Sequence, residues 1–237
     1  MKSILVKKLL ESGTGSLDIA FSSPGKIYTF LNPVSYLDAL KNKEIFNKFD
    51  GIFADGGLLV KWVRLLYKKK IRRWSFDLGS MAPFLFQYSV EHNKSIAIIA
   101  TKQEVVEKSV SVLKYYYPGL NIVYYRNGYF NNEEEQNLEA KKLIGVSPDF
   151  LIVGMGIVNQ EKFLLKVKNA GFQGVGFTCG GFIHQTAQNV GQYYPEWVNK
   201  HGLRFFYRMY KEPHTRSRYA KAAFLFPLSF IKEKYFG

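Results

Sequence analysis

Between residues 95 and 177 the chain alternates short apolar runs with stretches in which apolar side chains recur every three or four positions. Residues 95–100 (SIAIIA) form a run of strand length rich in Ile. They are followed by 103–117, where Val105, Val106, Val110, Leu113 and Tyr117 keep helical spacing. Pro118-Gly119 ends that helix, and 121–125 (NIVYY) reads as the next strand. The loop Asn127-Gly128-Tyr129-Phe130 leads into a helix whose acidic start, Glu133–Glu135, suits the positive end of the helix dipole. Strand, helix and strand follow at 150–153, 159–170 and 174–177. Repeated strand–helix–strand units with apolar strands predict a parallel sheet covered by helices on both faces, a Rossmann-like α/β body.

The N-terminal third is less regular. It reads as strand 27–31, helix 34–42, strand 52–54 and helix 58–67. After Tyr194-Pro195 the pattern changes to aromatic-basic helical segments broken at Pro213 and Pro227. This places a boundary near 193, with an α/β body over 1–193 and a helical, basic appendage over 194–237. The first fifteen residues resemble a signal peptide only superficially, because Lys7 and Lys8 break their apolar run and no small-residue cleavage site follows. No apolar stretch reaches the 18 residues or so that a span requires. A cytoplasmic location, peripheral on the inner face of the membrane, is the expectation.

Composition sharpens this picture in two places. The single cysteine, Cys179, allows no internal disulfide and no Cys-rich metal site, and so points to a reducing compartment. The net charge of +14 is unevenly spread: residues 199–237 carry nine Lys or Arg against two Glu. A basic tail on a near-ordinary body suits an anionic partner, either a membrane surface or a diphosphate. Nucleic acid is disfavoured, since no motif for it surrounds these residues.

Ligands of parallel sheets bind at the carboxyl ends of strands. Asn32, Asp55-Gly56-Gly57, Asn127-Gly128 and Gly154-Met155-Gly156 all follow predicted strands, although Asp and Gly are also ordinary turn residues. Gly154-x-Gly156 lacks the third glycine of a dinucleotide fingerprint, with Asn159 in its place. Most of the basic stretch 61–73 reads as a solvated helix face. Arg73 stands apart, because Arg73-Trp74-Ser75-Phe76-Asp77 could hold an Arg and an Asp at one pocket.

These residues carry a resemblance to the WecG/TagA/CpsF family of bacterial glycosyltransferases, of which an N-acetylmannosaminyltransferase is typical. Asn32, Ala54-Asp55-Gly56, Arg73…Asp77, and Ser147-Pro148-Asp149 through Gly154-Met155-Gly156…Gln160-Glu161 match its blocks in order. The patches Tyr117–Leu120 and Asn127–Phe130 match as well, as does the ending Gly202-Leu203…Tyr207-Arg208…Glu212-Pro213…Arg218-Tyr219. The usual Pro-Lys before the Gln is Val158-Asn159 here, and the threonine two residues before Asn32 is Phe30. The segment 174–182 lacks the family's Asp, and its Arg-Ala-Pro is reduced to Tyr194-Pro195. These departures bear on donor identity.

The resemblance implies transfer of a sugar from a UDP-sugar donor to a polyprenyl-diphosphate-linked saccharide during cell-surface polysaccharide synthesis. UDP-N-acetylmannosamine, its uronic acid and UDP-glucose are the candidate donors. It implies Asp55 as catalytic base, with inversion at the anomeric carbon. The candidate substrate-binding residues are Asn32, Arg73, Asp77, Asn127, Gly154, Gly156, Gln160 and Glu161, together with Arg208, Arg216 and Arg218. The residues themselves add two expectations. With no Asp-x-Asp pair and no spaced histidines, no metal or other cofactor is expected, and arginines must offset the diphosphate charge. Glu161 could equally serve only to answer the helix dipole, and the three arginines could equally meet lipid headgroups. The appendage rings could lie in an anionic membrane surface or pack as core, and a homo-oligomer is allowed. A non-catalytic membrane-surface binder of the same fold is the alternative.

Overall fold

The computed structural model describes residues 3–188, 197–198, 207, 209–210, 213 and 216–236. Six parallel strands form one sheet: β1 (Ile27–Leu31), β2 (Gly51–Ala54), β3 (Ser95–Ala100), β4 (Asn121–Arg126), β5 (Phe150–Gly154) and β6 (Val175–Thr178). Their order is β2-β1-β6-β5-β3-β4. Each lies within two residues of its expected bounds, because apolar runs bounded by turn residues mark doubly covered strands well.

Strand residues alternate between the two faces, as the twofold pleat requires. Phe30, Phe53, Ile96, Ile98, Phe150 and Ile152 point into one core. That core is closed by α2 (Leu17–Phe21), α6 (Met81–Glu91), α7 (Gln103–Tyr116) and α10 (Phe182–Gln188). Leu31, Ile52, Ala97, Ile99, Leu151 and Val153 point the other way. There α1 (Ile4–Thr14), α3 (Pro33–Lys41), α4 (Lys43–Phe46), α5 (Gly57–Tyr67), α8 (Glu133–Val146) and α9 (Asn159–Asn169) cover them.

Five helices had no counterpart in the sequence pattern: α1, α2, α6 and the short α4 and α10. α1 buries Leu5, Val6 and Leu9, so the signal-like start is part of the fold. α6 is apolar on more than one face, burying Met81, Leu85 and Phe86 while exposing Phe84, which blurs a helical period. α2 is only 5 residues long.

The tail departs from expectation at Pro227. Helix α11 (Arg216–Phe236) runs through it without a break. The carbonyl left without a partner there belongs to Ala223, an exposed residue. Phe226 and Phe230, fully buried, anchor the turns on either side against Tyr36 of α3, with ring centroids 5.5 and 5.2 Å away. Trp62 and Tyr67 of α5 complete this contact. Of the appendage rings, which could lie in a membrane surface or pack as core, Phe226 is core while Phe224 is exposed. The boundary near 193 falls outside the described residues.

Candidate functional site at the carboxyl edge of the sheet

Every helix that follows a strand begins at the same edge, so the candidate residues form a row in strand order. Backbone bonds join adjacent strand ends. Asp55 N donates to Leu31 O (2.8 Å), Cys179 N to Val153 O (2.8 Å), Thr101 N to Gly154 O (3.2 Å) and Gly128 N to Thr101 O (2.9 Å). Asp55 and Asn127 belong to opposite edge strands, five inter-strand gaps apart, or roughly 24 Å. The row is thus long enough to divide into two ends with different roles.

At the first end stand Asn32, Asp55, Arg73 and Asp77. Register pairs Leu31 with Ala54, which sets the following Asn32 and Asp55 side by side. Asn32 caps α3: its Oδ1 accepts from Val34 N (2.9 Å) and Ser35 N (3.1 Å), while Ser35 Oγ accepts from Asn32 N. Trp74 N donates to Ala54 O (3.0 Å), which lays the Arg73–Asp77 segment along β2 beside Asp55. Arg73 donates to Ser75 Oγ and reaches Asp77 Oδ2 at 3.4 Å. Asp77 Oδ1 also accepts from Gly79 N (2.8 Å), so the carboxylate is fixed from two sides. Asp55 differs. It is half-buried, and its carboxylate makes no hydrogen bond or ion pair among the described residues. The helix it precedes, α5, has Gly56 at its N-cap and no side-chain cap among the described residues, which leaves its first N–H groups open to a ligand at the edge.

The second end is built from backbone and buried side chains. A Cβ on Gly154 would meet Cys179 Sγ at 2.7 Å and Gly180 O at 2.9 Å, so only glycine lets β5 end this close to β6. Positive φ clusters here, at Thr101 (40°), Gly156 (79°), Val158 (71°) and Gly180 (55°). For a β-branched residue such as Val158 this conformation is strained, and such strain collects at ligand sites.

Gln160 and Glu161 open α9 and are buried. Glu161 Oε1 accepts from Thr29 Oγ1 (2.8 Å) and Gln160 Nε2 (2.9 Å), and its Oε2 from Val158 N (2.6 Å). Thr29 Oγ1 also lies 2.8 Å from Thr178 Oγ1, and Gln160 Oε1 accepts from Gly180 N (3.1 Å). Burial pushes the Glu161 carboxyl up, against the hydrogen bonds from Gln160, Thr29 and backbone that pull it down. Its dipole-answering role and its buried network are therefore one device, since the carboxylate also serves the first N–H of the turn. The structure brings Glu161 and Gln160 together with Gly156 and Gly180, and not with Asp55.

Asn127 lies at the far end. Its N–H donates to Gln103 Oε1 (2.9 Å), and its Oδ1 accepts from Tyr129 N (3.0 Å). Arg126 holds this loop from beneath, ion-paired to Glu135 and Glu139 and stacked over Phe130. Arg216 donates to Met209 O (2.9 Å), and Arg218 is paired with Asp38 of α3 at 3.2 Å, on the outer wall of the first end. Arg208 lies outside the described residues. Sequence reasoning missed Thr29, Thr101, Gln103 and Thr178. The edge rule could have found Thr101, next after β3, whereas Thr29 and Thr178 point sideways from within strands. Among the described residues no group of three or more His, Cys, Asp or Glu gathers as a metal site. Nor is any helix among them long and apolar enough to cross a membrane.

Residues 15–237 match the model of the glycosyl transferase WecG/TagA/CpsF family. The chain is 34% identical over 87% of its length to a Shigella boydii protein, 86% of which is covered. That protein is named UDP-Gal:alpha-D-GlcNAc-diphosphoundecaprenol beta-1,4-galactosyltransferase. The chain is 26% identical, over 80% of its length and 73% of the relative's, to the N-acetylglucosaminyldiphosphoundecaprenol N-acetyl-beta-D-mannosaminyltransferase of Bacillus subtilis. A Staphylococcus aureus protein of the same name is 31% identical over 53% of the chain and 48% of its own length.

Proposed function

The chain belongs to the WecG/TagA/CpsF family of glycosyltransferases, and from that premise we propose that it moves a hexose from UDP to a GlcNAc-diphosphoundecaprenol acceptor. Galactose is the favoured hexose, ahead of N-acetylmannosamine, its uronic acid and glucose. The support is that the relative at 34% identity is named for UDP-Gal, and the one at 26% for N-acetylmannosaminyl transfer.

One observation carries the chemistry: a half-buried carboxylate, Asp55, unpaired among the described residues, at the carboxyl edge beside Asn32 and the Arg73–Asp77 segment. The acceptor hydroxyl attacks the anomeric carbon and gives its proton to Asp55. The bond from that carbon to the UDP oxygen breaks, its electron pair leaving with the diphosphate. One displacement inverts the configuration. Arg73, with the uncapped N-terminus of α5, would meet diphosphate charge without a metal, while Asn32, Asp77 and Gln160 keep the walls in register. Arg208, Arg216 and Arg218 would draw the lipid diphosphate to the rim, and the basic tail would hold the enzyme on the anionic inner face of the membrane.

The test is a screen of UDP-sugars against GlcNAc-diphosphate-lipid, reading product mass and the anomeric coupling by NMR. Turnover with UDP-galactose and inversion is the expected result. Retention of configuration, or transfer only of a different sugar, would overturn the corresponding part.

A further inference from the structure

Helix α5 is two-faced in a way the site does not use. Leu59 and Val63 enter the core, and Trp62 and Leu66 turn towards α11, where Trp62 meets Phe226 and Lys234 Nζ donates to Leu66 O (2.6 Å). The remaining face carries Leu58, Lys61, Leu65 and Lys68 at spacings of three and four, all exposed, with Leu65 67% exposed. It runs on into Lys69 and Lys70, and residues 56–76 contain no Asp or Glu.

The outer face of α11 has the same chemistry. Lys221, Phe224, Leu228, Lys232 and Tyr235 are exposed, Phe224 at 78%. Its single acid, Glu233, is buried and paired with Lys43. Each of these two packed helices thus presents a stripe of large apolar side chains edged by cations. That is the pattern of interfacial helices on an anionic bilayer, where rings and leucines enter the acyl boundary and cations meet phosphates.

Building on the proposed function, we propose that α5 with its Lys68–Lys70 turn is a second membrane-docking limb beside α11. The partner is an anionic lipid surface. Because α5 starts two residues after Asp55, such docking sets the catalytic carboxylate at a fixed height above the headgroups, where a lipid-borne diphosphate emerges. The tail alone would leave that height free to vary by rotation about α11.

The test uses the full chain and two variants: Lys61→Gln/Leu65→Gln, and Lys68→Gln/Lys69→Gln/Lys70→Gln. The second alters only an exposed turn and remains informative if the first misfolds. Co-sedimentation is measured with vesicles of phosphatidylglycerol mixed with phosphatidylcholine, and with phosphatidylcholine alone. Each variant should bind the mixed vesicles at least about tenfold more weakly than the parent. Turnover on a short-chain, water-soluble acceptor should stay within about twofold. Parent-like binding by the variants overturns the proposal, as does equal parent binding to both vesicle types. It is also overturned if the parent is a dimer that the first variant dissolves with vesicle binding unchanged, for then the stripe is a contact between copies. Binding is read without any sugar donor, so failure to transfer sugar would strike the proposed function alone.

Discussion

Asp55, just before α5, and Glu161, in the first turn of α9, both stand where a strand of the same sheet gives way to a helix, yet their surroundings are opposite. Among the described residues Asp55 is half-buried and unpaired, next to a helix start that no side chain caps. Glu161 is fully buried, and three donors from Thr29, Gln160 and Val158 occupy its oxygens. A carboxylate that must take a proton needs free lone pairs and access to substrate. One saturated by donors and sealed from water can only hold its neighbours in place. The two ends of the row therefore divide the work: the first is left chemically open, and the second is rigid and stores strain.

The comparison breaks most sharply at Asp55. Asp55→Asn should lower turnover by about a hundredfold or more, with donor affinity and melting temperature little changed. Single-turnover kinetics, donor titration and a thermal melt check this together; more than about a tenth of parental turnover would remove Asp55 from the role. Glu161→Ala should do the reverse, because three buried donors lose their acceptor. We expect a loss of about 3 kcal/mol, seen as a melting point lower by about 6–12 °C for a chain of this size. Turnover per folded molecule should fall less than in Asp55→Asn.

Strain at the second end predicts a smaller effect. Val158→Gly relieves a left-handed backbone at a β-branched residue and should stabilise the fold by about 1 kcal/mol, after the entropy cost of glycine. A denaturant melt with unchanged slope would establish it. The pH dependence separates the ends again. The native Glu161 carboxyl lies above its ordinary value near 4.5, so stability falls as pH rises through that window and is regained on acidification. Calorimetry across pH should show this dependence in the parent and its loss in Glu161→Gln. Chelation should have the smallest effect. EDTA should leave turnover unaltered, and loss restored by magnesium or manganese would make the first end a metal site rather than an open base.

The tail shows how far local pattern reaches. Phe224 and Phe226 are two residues apart in one aromatic-basic segment and look alike in sequence. In the helix they fall on opposite sides, one in solvent and one in the core against Tyr36. Alternation of basic and aromatic residues cannot separate these fates, since that depends on which neighbour the helix packs against. The same holds for α6, whose apolar residues surround its axis and so lack a readable period.

What the sequence determined by itself was everything carried by short-range chemistry. Apolar runs and turn residues placed all six strands, and their ends placed Asn32, Asp55, Asn127 and Gly154 on one edge. Ordered motifs along most of the chain named the family. Only the tertiary structure decided which acid is open and which is sealed. The partners of Glu161 include Thr29, 132 residues away, and Thr29 in turn meets Thr178, 149 residues away. Such contacts arise from the strand order β2-β1-β6-β5-β3-β4, which no local period encodes. Burial and pairing, which leave one carboxylate open and seal the other, are properties of that packing rather than of residue type.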